Sequence, residues 1–280
     1  MNRMTIAAAL AAASVIALAG CKQAAAPADT TTTATTTTAA ATGIDGTWKA
    51  DLATVKIDSK PNEFLLQNGQ YTCKTCVPSL TVAADGAFHP LKRPYSDSTS
   101  VKVDDANNVT ITSKKGDAVV GMTKLTVSAD GKTLTRHFTD SSVPGAAPTT
   151  GDETETRVAD APAGAHAVSG SWKEANYSNV SDAGLVVTFK QDGNTLHMST
   201  PGGVSYDAQV GGPAVPIKGD TANTTAQVTK GADGTFTETD ARDGKTISVM
   251  TFMVGADGKL HSVSEDKQNG SKMTYDSTRS

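Results

Sequence analysis

The chain has 280 residues, of which 38% are hydrophobic and only 5% aromatic, and 25 Lys and Arg stand against 29 Asp and Glu for a formal net charge of −4. Both signs are mixed along its length, so there is no basic stripe to track a nucleic-acid backbone and no one-signed field to steer a charged partner. Nucleic acid is therefore excluded from the expected partners.

Residues 1–20 have the three parts of a secretory signal: Arg3 as the positive region, an uncharged stretch from Met4 to Gly20, and small residues at its end. The stretch is alanine-rich and falls short of the ~20 strongly apolar residues of a spanning helix. The motif Leu18-Ala19-Gly20-Cys21 that closes it resembles the lipobox of bacterial lipoproteins. That resemblance implies cleavage before Cys21, a diacylglycerol on its thiol, an acylated amine, and attachment to a membrane through lipid alone. Several acyl chains hold a protein on a bilayer that a single chain would let it leave. Lys22 stands where lipoproteins kept at the inner membrane usually carry Asp, which by the same resemblance favours the outer membrane.

Residues 21–43 comprise the lipidated cysteine and an Ala/Thr-rich run with nothing large to bury, so they read as a disordered tether. The remainder repeats. Gly46-Thr47-Trp48-Lys49 returns as Gly170-Ser171-Trp172-Lys173, Gln67-Asn68-Gly69 as Gln191-Asp192-Gly193, and Pro90-Leu91-Lys92 as Pro216-Ile217-Lys218. Val109-Thr110-Ile111-Thr112 returns as Phe236-Thr237-Glu238-Thr239, and Ala129-Asp130-Gly131-Lys132 as Ala256-Asp257-Gly258-Lys259. The offsets grow from 124 through 126 to 127 in order along the chain, the drift that a few loop insertions in a tandem duplication produce. Two units follow, 44–158 and 168–280, each of ~115 residues and large enough for its own core. Residues 159–167, rich in Ala, Pro and Gly, form the linker between them.

Within the units the signals are strand and turn. Asn68-Gly69, Asp85-Gly86, Asp130-Gly131, Asp192-Gly193, Asp233-Gly234, Asp243-Gly244 and Asp257-Gly258 supply the positive φ angles of hairpins between runs of Val, Ile, Thr and Phe. Leu125 and Val127 alternate with Thr126 and Ser128, and Leu185, Val187 and Phe189 recur at every second position. No sustained helical period follows the tether. The predicted fold is all-β: two tandem antiparallel β-barrel or β-sandwich domains.

The Gly-Thr-Trp-Lys, the Asp-Gly-Lys-Thr-Leu-Thr at 130–135 and the run from Ala84 to Pro90 resemble a group of β-rich exported bacterial proteins, a likeness that implies a fold and no activity. Gly46-Thr47-Trp48 and Gly170-Ser171-Trp172 also resemble the first-strand Gly-X-Trp of lipocalins, which places Trp48 and Trp172 as core rings plugging one end of a barrel.

Cys73-Lys74-Thr75-Cys76 admits three readings. A redox motif wants a helix N-terminus, usually inside a βαβ unit, and zinc wants two further ligands; neither is visible. In an exported chain the reading that fits best is a structural disulfide between Cys73 and Cys76. Gly-X-Ser-X-Gly and His-Glu-X-X-His are absent, the five histidines lack ligand spacing, and the aspartates lack the spacing of a calcium loop. The expectation is a non-enzymatic envelope protein without cofactor or metal, binding an apolar small molecule in a barrel mouth or a partner protein. The alternatives are a structural or surface-coat lipoprotein and a thiol-disulfide protein acting through Cys73 and Cys76.

Overall fold

The computed structural model describes residues 43–280. The signal, Cys21 and all of the tether but Gly43 lie outside the described residues. β1 (Gly46–Ala50) and the short β2 (Lys56–Asp58) lead into β3 (Asn62–Gln67), β4 (Gln70–Cys73), β5 (Leu80–Ala83), β6 (Asp85–Pro90), β7 (Ser98–Val103) and β8 (Asn108–Lys115). The chain continues through β9 (Ala118–Val127), β10 (Thr133–Asp140), β11 (Thr149–Ala159), β12 (Gly170–Ser178), β13 (Val186–Asp192), β14 (Thr195–Ser199) and β15 (Ser205–Gln209). It ends with β16 (Val215–Pro216), β17 (Thr225–Lys230), β18 (Phe236–Arg242), β19 (Lys245–Val254), β20 (Leu260–Asp266) and β21 (Lys272–Arg279).

The strands form two antiparallel, nearly closed sheets. One runs β5-β4-β3-β12-β11-β10-β9-β8-β7-β6, the other β15-β14-β13-β1-β21-β20-β19-β18-β17-β16 with β2 added on β21. In the first, consecutive β5 and β6 bring the ends round, and the Ala84 N–H between them donates to Gly69 O at 2.8 Å. In the second, Ser205 and Lys218 exchange backbone hydrogen bonds of 3.1 and 2.8 Å across the seam. The all-β, two-domain, barrel-like architecture expected from turn chemistry and alternation is the architecture observed.

Turn residues account for much of the local geometry. Asn68-Gly69 (φ 51° and 71°) and Asp243-Gly244 (φ 51° and 73°) are two-residue hairpin turns with both central residues left-handed, the conformation that matches strand twist. Asp85-Gly86 differs: it lies inside β6, where the register slips between Asp85 and Phe88. Its positive-φ glycine makes a bulge within a strand instead of a hairpin tip.

The barrels do not divide the chain at the repeat boundary. β1, which opens the first sequence unit, pairs with β13 and β21 of the second. β12, which opens the second, pairs with β3 and β11 of the first. The two repeats have thus exchanged their leading strands. The first barrel is 62–178, and the second joins 43–58 to 186–280. Residues 159–167, expected as a linker between units, instead belong to a folded connection from β11 to β12. There Arg157 Nη1 and Nη2 donate to the carbonyls of Ser169 and Ala167, both at 2.7 Å. The composition of that stretch is that of a linker, but the neighbouring Arg157 of β11 pins its far end.

Each barrel has its own core. Phe64, Tyr71, Cys73, Val101, Leu125 and Trp172 are among the residues of the first; Trp48, Phe189, Leu196, Tyr206, Phe236 and Phe252 are among those of the second. Ala50, Leu185, Val186, Met273 and Tyr275 form a third cluster, against which Tyr177 of β12 packs, so apolar contact continues between the barrels.

Candidate interdomain cleft

The Gly-X-Trp motif builds the same clasp in each barrel. Trp172 is directly opposite Arg157 and Trp48 opposite Arg279 on paired strands. Each guanidinium lies over its indole, at 3.9 Å for Arg157 and 4.2 Å for Arg279, in a cation–π contact. Trp172 Nε1 donates to Val168 O at 2.9 Å and Trp48 Nε1 to Ile44 O at 2.8 Å, four residues back in both cases. Arg279 donates to the carbonyls of Asp45 and Gly43 as Arg157 does to those of Ser169 and Ala167. Both tryptophans have no exposed surface. The motif's glycine is fixed by this clasp. Gly170 has φ +122°, and a Cβ there would stand 2.6 Å from both Ala159 O and Arg157 Nη1; Gly46, at φ +132°, would collide with the guanidinium of Arg279.

Past the tryptophan, each interior holds ionisable groups. In the first barrel Arg136 Nη1 donates to Glu155 Oε1 at 3.1 Å, and its Nε lies 3.7 Å from Glu153 Oε2. Asn62 Nδ2 donates to Glu155 Oε2 at 3.2 Å and to Glu174 Oε1 at 3.5 Å. Glu153 Oε1 and Glu174 Oε2 are buried without hydrogen-bond partners among the described residues. Burial pushes Glu153 up to about 8, against the pull of Arg136, and raises Glu155 as well. Burial also opposes the charge of Arg136, but Glu153 and Glu155 outweigh it and hold the guanidinium above its ordinary value. In the second barrel Tyr206 Oη donates to Glu238 Oε2 at 2.7 Å, and Ser248 Oγ to Asp240 Oδ2 at 2.8 Å. Burial, then the neighbouring Asp240 carboxylate, pushes Glu238 up to about 8; burial pushes Asp240 up to about 6. Two carboxylates two residues apart on one strand face, out of water, favour holding a proton. The interiors are thus occupied by rings and by these polar clusters.

One hollow lies between the domains. The β10–β11 loop contributes Val143, Pro144, Gly145, Ala146 and Ala147, and loops of the second barrel contribute Pro201, Gly203, Gly219, Asp220 and Thr221, lining a shallow, open hollow of about 560 Å³. The loops are held in place beside it. Tyr95 of the first domain donates to Asp220 Oδ2 at 2.7 Å, and Arg242 Nη2 donates to Tyr95 Oη at 2.6 Å while stacking on its ring at 4.9 Å. Asp220 Oδ1 receives the N–H groups of Ala222 and Thr224 at 2.6 and 3.2 Å. Despite partial burial, these donors hold its carboxyl below the ordinary range. Asp220 is therefore already engaged as a structural anion, and what the cleft offers a guest is mainly Pro, Ala, Val and glycine backbone. A second hollow of about 420 Å³ is lined by Lys56, His261, Tyr275, Asp276 and neighbouring residues.

Cys21 is outside the described residues. Cys73 and Cys76 form a disulfide at the end of β4, with Cys73 buried in the core. Trp48 and Trp172 are the two buried clasp rings just described and stand in separate cores. Four of the five histidines have aspartate partners: His89 with Asp85, His137 with Asp152, His197 with Asp207, and His261 with Asp276 at 2.7 Å and Asp257 at 3.1 Å. Hydrogen bonding to Asp276, foremost, raises the pKa of His261. Among the described residues, no group of three or more His, Cys, Asp or Glu is placed to hold a metal ion. Sequence reasoning did not find Arg157, Arg279 or the cleft loops. The arginines carried a signal, since each lies near the end of its sequence unit; the cleft did not, because it is made by three loops far apart in sequence. No protein-family model, no curated protein and no solved structure matches the chain.

Proposed function

We propose that the chain is a non-enzymatic binding module of the bacterial cell envelope, anchored by lipid on Cys21, whose ligand is a small apolar molecule seated in the cleft between the barrels. The observation that carries this reading is the interdomain cleft, with a volume inside the ~300–1,000 Å³ range of small-molecule sites and at a domain interface, where such sites concentrate. The Gly-X-Trp end plugs support the lipocalin-like architecture. The rings and ionisable groups inside the barrels argue against a guest there, and so move the site from the barrel mouth to the cleft. Burial of Cys73 in the core and the pairing of both thiols in a disulfide weigh against thiol-disulfide exchange as the role.

A structural envelope role is the second reading, and the same filled interiors favour it. A titration with the apolar fluorophore N-phenyl-1-naphthylamine separates the two. Saturable enhancement at one site per wild-type chain, with at least a tenfold loss of affinity (about 1.4 kcal/mol) when exposed Ala147 is changed to Trp, supports the binding module. Equal response of the two proteins, or no response, supports the structural role.

A further inference from the structure

The most unusual feature of the fold is that each barrel is completed by the other repeat's leading strand. We propose that residues 43–58 form an exchangeable arm, and that its second acceptor is the 186–280 barrel of another copy of this chain, giving reciprocally exchanged dimers. Three observations support this. The arm is separable in its pairing: among the described strands β1 and β2 hydrogen-bond only with strands of the second barrel, their contact with the first is packing beside Tyr177 of β12, and residues 59–61 alone join the arm to β3. The slot recognises a type of strand: β12 sits between β3 and β11 as β1 sits between β13 and β21, with the same Arg–Trp clasp and the same positive-φ glycine. The arm also lies at one end of the described residues, so withdrawing it leaves every strand of the 62–178 barrel in place. Exchange between copies rebuilds the same contacts and differs only at the hinges, which is the condition under which swapping costs little.

The test uses two single variants of the full chain, Thr47→Cys and Thr188→Cys. These residues are register partners on β1 and β13, with hydroxyl oxygens 2.9 Å apart. The two proteins are unfolded, mixed, refolded together over a range of concentrations and then oxidised. The double variant T47C/T188C, refolded dilute, establishes that the positions cross-link within one chain. The proposal expects covalent heterodimers whose disulfide maps by peptide mass to position 47 of one chain and position 188 of the other. Their ratio to monomer should rise about tenfold for each tenfold rise in monomer concentration. Removing the clasp with Arg279→Ala should speed their formation from folded monomers. Monomers alone at every concentration, or dimers lacking the 47–188 linkage, would overturn it.

Discussion

Glu238 shows what a single buried side chain imposes on this protein. Its ordinary pKa of 4.5 rises to about 8 in the fold, so between those values the folded chain holds a proton that the unfolded chain has released. The stability linked to that proton is fully present below about pH 4.5, declines as pH rises, and is gone once pH passes about 8. Glu153, at about 8, and Asp240, at about 6, act in the same direction. Glu238→Gln keeps an acceptor for Tyr206 and removes the titration. The drop in melting temperature between pH 5 and pH 8.5 should therefore be a few degrees smaller in the variant than in the wild type. Equal slopes in the two proteins would mean that Glu238 is ionised in the fold. None of this was legible in the sequence, where Glu238 is an ordinary member of a polar strand. Its burial depends on which face of β18 turns inward, and Tyr206 comes from another hairpin.

At the scale of elements the sequence said more. The Asn68-Gly69 and Asp243-Gly244 turns fall where their chemistry requires, and Leu125, Val127 and Phe189 point inward as alternation demands. Val186 is also buried, because a third cluster between the barrels receives it, so strict alternation fails where a strand has apolar neighbours on both faces. The repeat alignment extends to core positions. Cys73 pairs with Phe64 as Met198 pairs with Phe189, so a thioether fills in one barrel the place that a disulfide sulfur fills in the other. The Cys73–Cys76 bond closes a loop of only four residues, for which the chain-entropy argument gives about 2 kcal/mol. Cys73→Ser/Cys76→Ser should consequently unfold at lower denaturant with an unchanged slope, while retaining the wild-type circular dichroism spectrum. Loss of the folded spectrum in the variant would show that the bond determines the fold.

For the whole molecule, two β-rich domains were legible in the sequence and the crossing of their leading strands was not. A repeat establishes that two like units exist; it does not say which unit a strand joins, because β1 carries the same Gly-X-Trp-Lys whether it completes its own barrel or its neighbour's. The cleft has the same origin. The 143–147, 201–203 and 219–221 loops are unremarkable Pro/Gly segments that line one hollow only when the barrels are set side by side. Reciprocal strand exchange and the Tyr95–Asp220–Arg242 contact hold that arrangement, and with it the shape of the cleft. The most direct test of the binding account is a native mass spectrum of the full-length protein isolated from the envelope, set against its denatured spectrum and against Ala147→Trp. The account predicts a polypeptide beginning at acylated Cys21, with one apolar adduct per chain that is present in the native wild type, lost on denaturation and absent from the variant. A native mass equal to the denatured mass, or an adduct retained equally by Ala147→Trp, would contradict it.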